Sequence, residues 1–591
     1  MTSRRAAALA TTLVAALSAA PAAQGPERFS GPSSQALHQL FNDYWEWRLA
    51  TQPELATQVG RREHNSRWSD LSRGARERAR GARQEYLERA MFLSPGTLSP
   101  SDLLSALLLE YELRQQLEYE PVVGAVQLVS QVDGVHNRVF RIVEAMPASQ
   151  LADYDNILAR LRGLPAYVDQ AIAQMDEDLA AGLAQPIVVV DLMLDQVGSQ
   201  ARTPALGSPL IAGFSTFPES MPGSTQRRLR ASAVAAYQQQ FVPSWTRLET
   251  YLRDRYRPRA RPQIGFSTLP DGVARYEQLV RFYTTTRMSA DEIHRLGLKE
   301  VDRIEREMRA IAAEYGFTGS MQDFERELAN RPGAKFETEA EMLAYAEGVL
   351  TSVRPALPAL FARQPRAEVR VRPIPADRAA STPSSYSAGT VDGSRPAFFN
   401  MNTYRPATQV KYTVEALVLH ETVPGHHLQV GLARELEGVP MFRTVFQSGA
   451  FTEGWGLYAE SLGRTLGTVY RDPPTRFGQL AGERFRAVRL VVDTGIHAKG
   501  WSRDQARAYF QQNAPSQSLA EVDRYIARPG QALSYKIGEL KIRELRDRAE
   551  QALGSRFDIR AFHDIVLRNG ALPLEMLDEQ VTAYIKGAQG R

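Results

Sequence analysis

Three of the chain's nine histidines fall within eight positions, in Val418-Leu419-His420-Glu421-Thr422-Val423-Pro424-Gly425-His426-His427. Any fold must either bring these rings to one purpose or satisfy each of them separately. Upstream, Val414, Leu417 and Val418 form an apolar helical face, so His420 and Glu421 are expected to project from a mostly buried helix. A buried glutamate there needs a partner or a task. The zinc pattern His-Glu-x-x-His places its second histidine one turn after the first, but here that position is Pro424. On an unbroken helix His426, six residues on, lies about 120° away around the axis. Pro424 removes a helical hydrogen bond and Gly425 tolerates unusual dihedrals, so a kink or bulge is expected to return His426 to His420. His427 is the alternate ligand. Seven residues restore the face but place it about 10 Å further along a regular helix.

A catalytic zinc takes three protein ligands and keeps one position open. The expected third ligand is Glu453, in Phe451-Thr452-Glu453-Gly454-Trp455-Gly456, where the glycines permit close backbone approach. A helix-start glutamate is the plainer reading of the same residue. Glu460, seven residues on and on the same face, is expected to orient a histidine ligand. One zinc per chain on His420, His426 and Glu453, with Glu421 as general base, is the arrangement these residue types suggest.

Elsewhere the chain reads as mainly α. Arg4 and Arg5 precede an apolar run from Ala6 to Ala20 and small residues at Ala20-Pro21-Ala22-Ala23, the pattern of a cleaved signal peptide over 1–23. The run is too short to cross a bilayer. The expectation is a periplasmic or secreted protein with no stable membrane insertion after cleavage, and the absence of cysteine excludes disulfides and thiolate ligands. A Gly/Pro/Ser-rich leader follows over 24–34. Amphipathic stretches at about 35–60, 69–92, 100–119, 147–182 and 224–256 suggest an N-terminal helical lobe over 35–265, and 266–591 a catalytic lobe. The apolar run Ile187–Leu194 suits either a strand or a buried helix. Alternation in Glu368–Arg372, a Gly/Ser-rich turn and Ala397–Asn402 predict a small hairpin or sheet, where an edge strand would bind an extended peptide. Basic and acidic residues nearly balance, 71 against 67, so no focused footprint for nucleic acid is expected.

The runs His420-Glu421-x-x-Pro424-Gly425-His426-His427-Leu428-Gln429 and Glu453-Gly454-Trp455 resemble the bacterial domain of unknown function 885. Asp493-Thr494-Gly495-Ile496-His497 and Pro529-Gly530-Gln531-Ala532-Leu533-Ser534-Tyr535-Lys536 add to that resemblance. More distantly the arrangement is similar to helical gluzincins: thimet oligopeptidase, angiotensin-converting enzyme and thermostable carboxypeptidase relatives. The resemblance implies a two-lobed helical zincin-like fold with a deep central cleft, one zinc and short peptide substrates. It also implies oxyanion donors at Tyr535 and His497, with Asp493 placed to fix the His497 tautomer if the stretch is helical. Alternatives are a metal-dependent amide or ester hydrolase on non-peptide substrates and an inactive peptide-binding protein; the intact Glu421 argues against the latter. Lys411, Arg524, Arg528 and Lys536 read equally well as clamps for a substrate carboxylate or as solvated helix faces. His563 reads as structural. Oligomeric state has no signature in the sequence.

Overall fold

The computed structural model describes residues 32–92, 98–375, 383–390 and 395–590, together with Ala379. The expected signal peptide, the leader up to residue 31 and part of the Gly/Ser-rich turn lie outside the described residues. The chain is mainly helical with one small three-stranded sheet. The first described helix, Pro32–Thr51, starts three residues earlier than the apolar pattern suggests, because Pro32 and two serines suit a first turn. The run from Ile187 is the start of a helix, Ile187–Arg202. Val189, Val190, Met193 and Val197 bury one face of it, a helical rather than an alternating pattern. Among the described residues no helix is long and apolar enough to cross a membrane.

Hydrophobic packing does not divide the chain at residue 265. Leu128 to Tyr256 build one core of their own. The earlier helices do not join it: Leu37, Phe41, Tyr44, Leu104 and Leu113 pack in one cluster with Val418, Trp455, Ile542, Phe562 and Val581. The N-terminal helices thus complete the core of the C-terminal half, which the period of each helix alone does not reveal.

The helices that bear on the histidine cluster are α1 (Gly272–Thr284), α2 (Ala290–Glu314), α3 (Val414–Glu421), α4 (His426–Arg434), α5 (Gly449–Leu466), α6 (Pro473–His497), α7 (Ala520–Ala527) and α8 (Ser534–Leu553). The sheet consists of β1 (Val369–Pro373), β2 (Ser385–Ser387) and β3 (Ala397–Met401), in the order β1-β3-β2. β1 runs parallel to β3 and β2 antiparallel to it, so the two alternating segments are joined by a crossover rather than as a hairpin. Ala397, Phe399 and Met401 point into the core, as period-two burial requires. α5 and α8 meet along glycine: a Cβ on Gly538 would lie 1.7 Å from the Ala450 carbonyl oxygen, and one on Gly454 would lie 2.4 Å from Gly538 backbone carbon. Only residues without a side chain allow this approach.

Candidate metal centre

His420 and Glu421 are the last two residues of α3, whose Val414, Ala416, Val418 and Leu419 are buried. The helix then breaks. Thr422 (φ −115°, ψ −121°) and Gly425 (φ −80°, ψ −129°) leave helical geometry, and α4 starts afresh at His426. A complete break therefore replaces the kink or bulge expected from Pro424. Gly425 lies directly on the preceding turn: a Cβ there would be 2.1 Å from the His420 carbonyl oxygen and 2.3 Å from that of Leu419. The Trp455 indole N–H fixes the break from the other side by donating to the Pro424 carbonyl at 2.9 Å.

This folding back brings the rings of His420 and His426 edge to face, 4.6 Å between centroids. Glu453, just past the first turn of α5, points at both. Its Oε2 lies 3.6 Å from His420 Nε2 and 3.5 Å from His426 Nε2. A tetrahedral ion with bonds of about 2.1 Å holds its donor atoms about 3.4 Å apart, so this spacing fits a zinc-sized divalent cation. Ligand atoms of His420, Glu421 and His426 also lie within 4.8 Å of one another, placing the Glu421 carboxylate beside the same point. His420 Nδ1 pairs with Glu460 Oε1 at 2.8 Å, and Arg486 of α6 pairs with that oxygen at 3.1 Å. This is the histidine–carboxylate arrangement that fixes ring orientation and tautomer. His426 Nδ1 is buried with no partner, so this ring has no such support.

Electrostatics agree with the donor set. Glu421, Glu453 and Glu460 crowd two imidazoles, and the excess negative charge calls for a cation. Burial disfavours a charged His420, but Glu453 and Glu460 outweigh it and hold the ring's pKa up at about 10. Burial raises the Glu421 pKa, against the opposing pull of His420 and His426. The ring of Gly456's neighbour His420 is also fixed by shape, since a Cβ on Gly456 would come within 2.7 Å of it.

The other expected residues divide. His427, the alternate ligand, is turned away: Nε2 donates to the Ala367 carbonyl at 2.9 Å and Nδ1 meets the Tyr386 hydroxyl at 3.2 Å. Burial presses its pKa down to about 4. Tyr535, at the start of α8, is brought to the site, with its ring nearly parallel to His420 at 6.4 Å. His497 is not available as an oxyanion donor. Its Nδ1 accepts from the Phe266 N–H at 3.1 Å and its Nε2 donates to the Tyr525 carbonyl at 3.0 Å, in a fully buried setting that pushes the pKa to about 3. Backbone groups from two distant segments thus use both ring nitrogens. Asp493 does not orient His497 either, because it accepts from the Tyr276 hydroxyl at 2.6 Å and from the Gly530 N–H at 3.0 Å. Lys536 is fully buried among Glu300, Glu483 and Glu539 and ties α2, α6 and α8 together. Lys411 pairs with Glu341, Arg528 with Asp133, and His563 with the Tyr458 hydroxyl and the Leu360 carbonyl.

Asp493 carries a pH signature. Burial pushes its pKa up to about 7, although the bonds from Tyr276 and Gly530 favour the ionised form. The folded-state value lies above the ordinary 3.8. The stability held by the neutral carboxyl is therefore complete below pH of about 4, is lost as pH rises toward about 7, and is flat beyond. Asp493→Asn is expected to remove this slope, worth on the order of a few kcal/mol. Urea melts of both proteins from pH 4 to 8 measure it; parallel curves would mean that Asp493 does not titrate in that range.

Arg486, Arg489 and Tyr386 are the neighbours that sequence reasoning missed. Glu483, Arg486, Arg489, Asp493 and His497 recur every three or four residues on α6. That polar stripe within an otherwise apolar helix was the available signal.

No curated protein matches this sequence. Among solved structures, one from Colwellia psychrerythraea, described as a candidate lipoprotein, is 26% identical with a TM-score of 0.90, covering 94% of this chain and 99% of that one. Another, a candidate lipoprotein of unknown function from Shewanella oneidensis, is 18% identical with a TM-score of 0.70, covering 93% and 99%. The fold is therefore shared over nearly the whole length. A family model described as bacterial protein of unknown function matches residues 53–581, and the chain belongs to that family, DUF885.

Proposed function

We propose that this protein is an exported zinc metallopeptidase that hydrolyses short peptides on a two-lobed zincin-like framework with a central cleft. The observation that carries the reading is the placement of Glu453 Oε2 at 3.5 and 3.6 Å from the two histidine Nε2 atoms, with Glu421 beside them. His420, His426 and Glu453 would hold the ion. Bound there, zinc supplies Lewis acidity toward a carbonyl oxygen and makes a water nucleophilic at neutral pH.

The chain's own groups do the remainder. Glu421 takes the proton of the attacking water and passes it to the leaving amine, a double duty that suits a carboxylate whose pKa burial has raised. Water oxygen joins the carbonyl carbon, the C–N bond breaks, and the amine leaves with the proton from Glu421. Tyr535 would donate its hydroxyl proton in a hydrogen bond to the developing oxyanion, a role supported by its ring lying 6.4 Å from that of His420. Glu460 holds His420 in one tautomer. Peptide substrates are favoured by β2, an edge strand whose Tyr386 touches His427 and lies 6.4 Å from the His426 ring. Its outer side offers backbone groups for an extended chain. Export is supported by the N-terminal sequence pattern and by the lipoprotein description of the two similar structures.

The test is metal analysis of the purified protein with cleavage of a mixed peptide library before and after chelation. About one zinc per chain is expected, with cleavage lost on chelation and restored by zinc. Stoichiometric zinc without peptide cleavage would shift the reading to another hydrolase or a binding protein. Absence of bound metal after zinc loading would remove the proposed centre.

A further inference from the structure

Next to the proposed centre lies a pair of arginines with one carboxylate between them. Arg489 on α6 pairs with Glu521 at 2.9 Å, and Arg524 on α7 reaches the same carboxylate at 3.4 Å. Neither guanidinium has another ion pair among the described residues, so one positive charge is left over. Arg489 is almost wholly buried, at 5% side-chain exposure, and its Nη1 has no hydrogen-bond partner. Its guanidinium sits between the rings of Phe485, 4.2 Å away, and Tyr535, 4.4 Å away. Arg524 is more open and donates to the Gln531 side-chain oxygen at 2.8 Å and to the Tyr535 hydroxyl at 3.3 Å. Tyr535 in turn faces His420.

A buried guanidinium short of both charge and acceptor is costly, and an incoming anion offsets that cost. A carboxylate fits the planar donor fork of arginine. The geometry points to Arg524, backed by Arg489, as the receptor for the C-terminal carboxylate of a peptide substrate. The enzyme would then be a carboxypeptidase acting on the last residues of short peptides, an inference that rests on the metallopeptidase reading. The arginines are separated from His420 by the single ring of Tyr535, which places them within two or three extended residues of the scissile bond, at about 3.3–3.6 Å per residue. Arg528 and Lys536 are already neutralised by Asp133 and by three glutamates.

The experiment is calorimetric binding to zinc-loaded Glu421→Gln protein, in which cleavage is expected to be slowed roughly 10²–10⁴-fold. The probes are N-acetyl-Ala-Ala-Phe, its C-terminal amide, and the amide of N-acetyl-Ala-Ala-Glu. The free acid is expected to bind roughly 10–100-fold more tightly than its amide, the range for hydrogen bonds to charged groups. Adding Arg524→Gln should bring that ratio close to one at unchanged zinc content and melting temperature. Equal binding of acid and amide overturns the receptor while leaving the peptidase reading intact, and this comparison needs no arginine variant to fold. Tight binding of the glutamate-ended amide overturns it in favour of an acidic side chain. If no peptide binds and the unsubstituted zinc enzyme cleaves none, the peptidase reading itself fails and the receptor with it.

Discussion

Glu421→Gln is expected to lower kcat by roughly 10²–10⁴-fold, the usual contribution of a positioned general base, while zinc stays at about one per chain. The isosteric amide keeps the packing at the end of α3 but cannot take a proton. The variant is informative because the Glu421 carboxylate lies within 4.8 Å of both histidine ligand atoms, near enough to be a ligand instead. Zinc lost together with turnover would make Glu421 a ligand and release Glu453 from that role. Full kcat with zinc bound would require another base. Inductively coupled plasma mass spectrometry on the protein used for the kinetics separates these cases.

The second large effect concerns neighbouring histidines. His426→Ala is expected to weaken zinc binding well beyond the roughly 10–100-fold that loss of an outer-shell partner costs, because it removes a ligand atom. His427→Ala should leave zinc affinity within a few fold, since its ring nitrogens engage Ala367 and Tyr386. Glu460→Ala supplies the benchmark, as it removes only the support of His420 Nδ1. Competition with a chromogenic chelator ranks the three. Should His427→Ala lose more zinc than His426→Ala, the ligand assignment would be reversed.

What could be read from the sequence was what lies close together along it or follows one helical period. Glu453 and Glu460 share one face of α5, and the Pro-Gly pair between Glu421 and His426 marks the break that returns His426 to His420, so each half of the cluster follows from spacing, whereas the docking of α5 on α3 does not. The sheet was readable from alternation, but its order was not, because the parallel pairing of β1 with β3 depends on the segment between them. His497 misled for a related reason. Its partners, Phe266 and Tyr525, lie 231 and 28 residues away, and no local pattern tells a histidine that serves an oxyanion from one that secures two backbone segments. Likewise the apolar faces of Leu37–Tyr44 and Leu104–Leu113 predicted burial without naming the core that receives them.

The glycine contact between α5 and α8 bears on which parts of the site can move. α5 carries Glu453 and α8 carries Tyr535, and the two backbones touch with no side chain between them to slide or repack. Glu453 and Tyr535 are therefore mounted on one stiff block. Motion is left to the short strand β2, whose Tyr386 meets His427 of α4, and amide exchange should be faster along β2 than along the block.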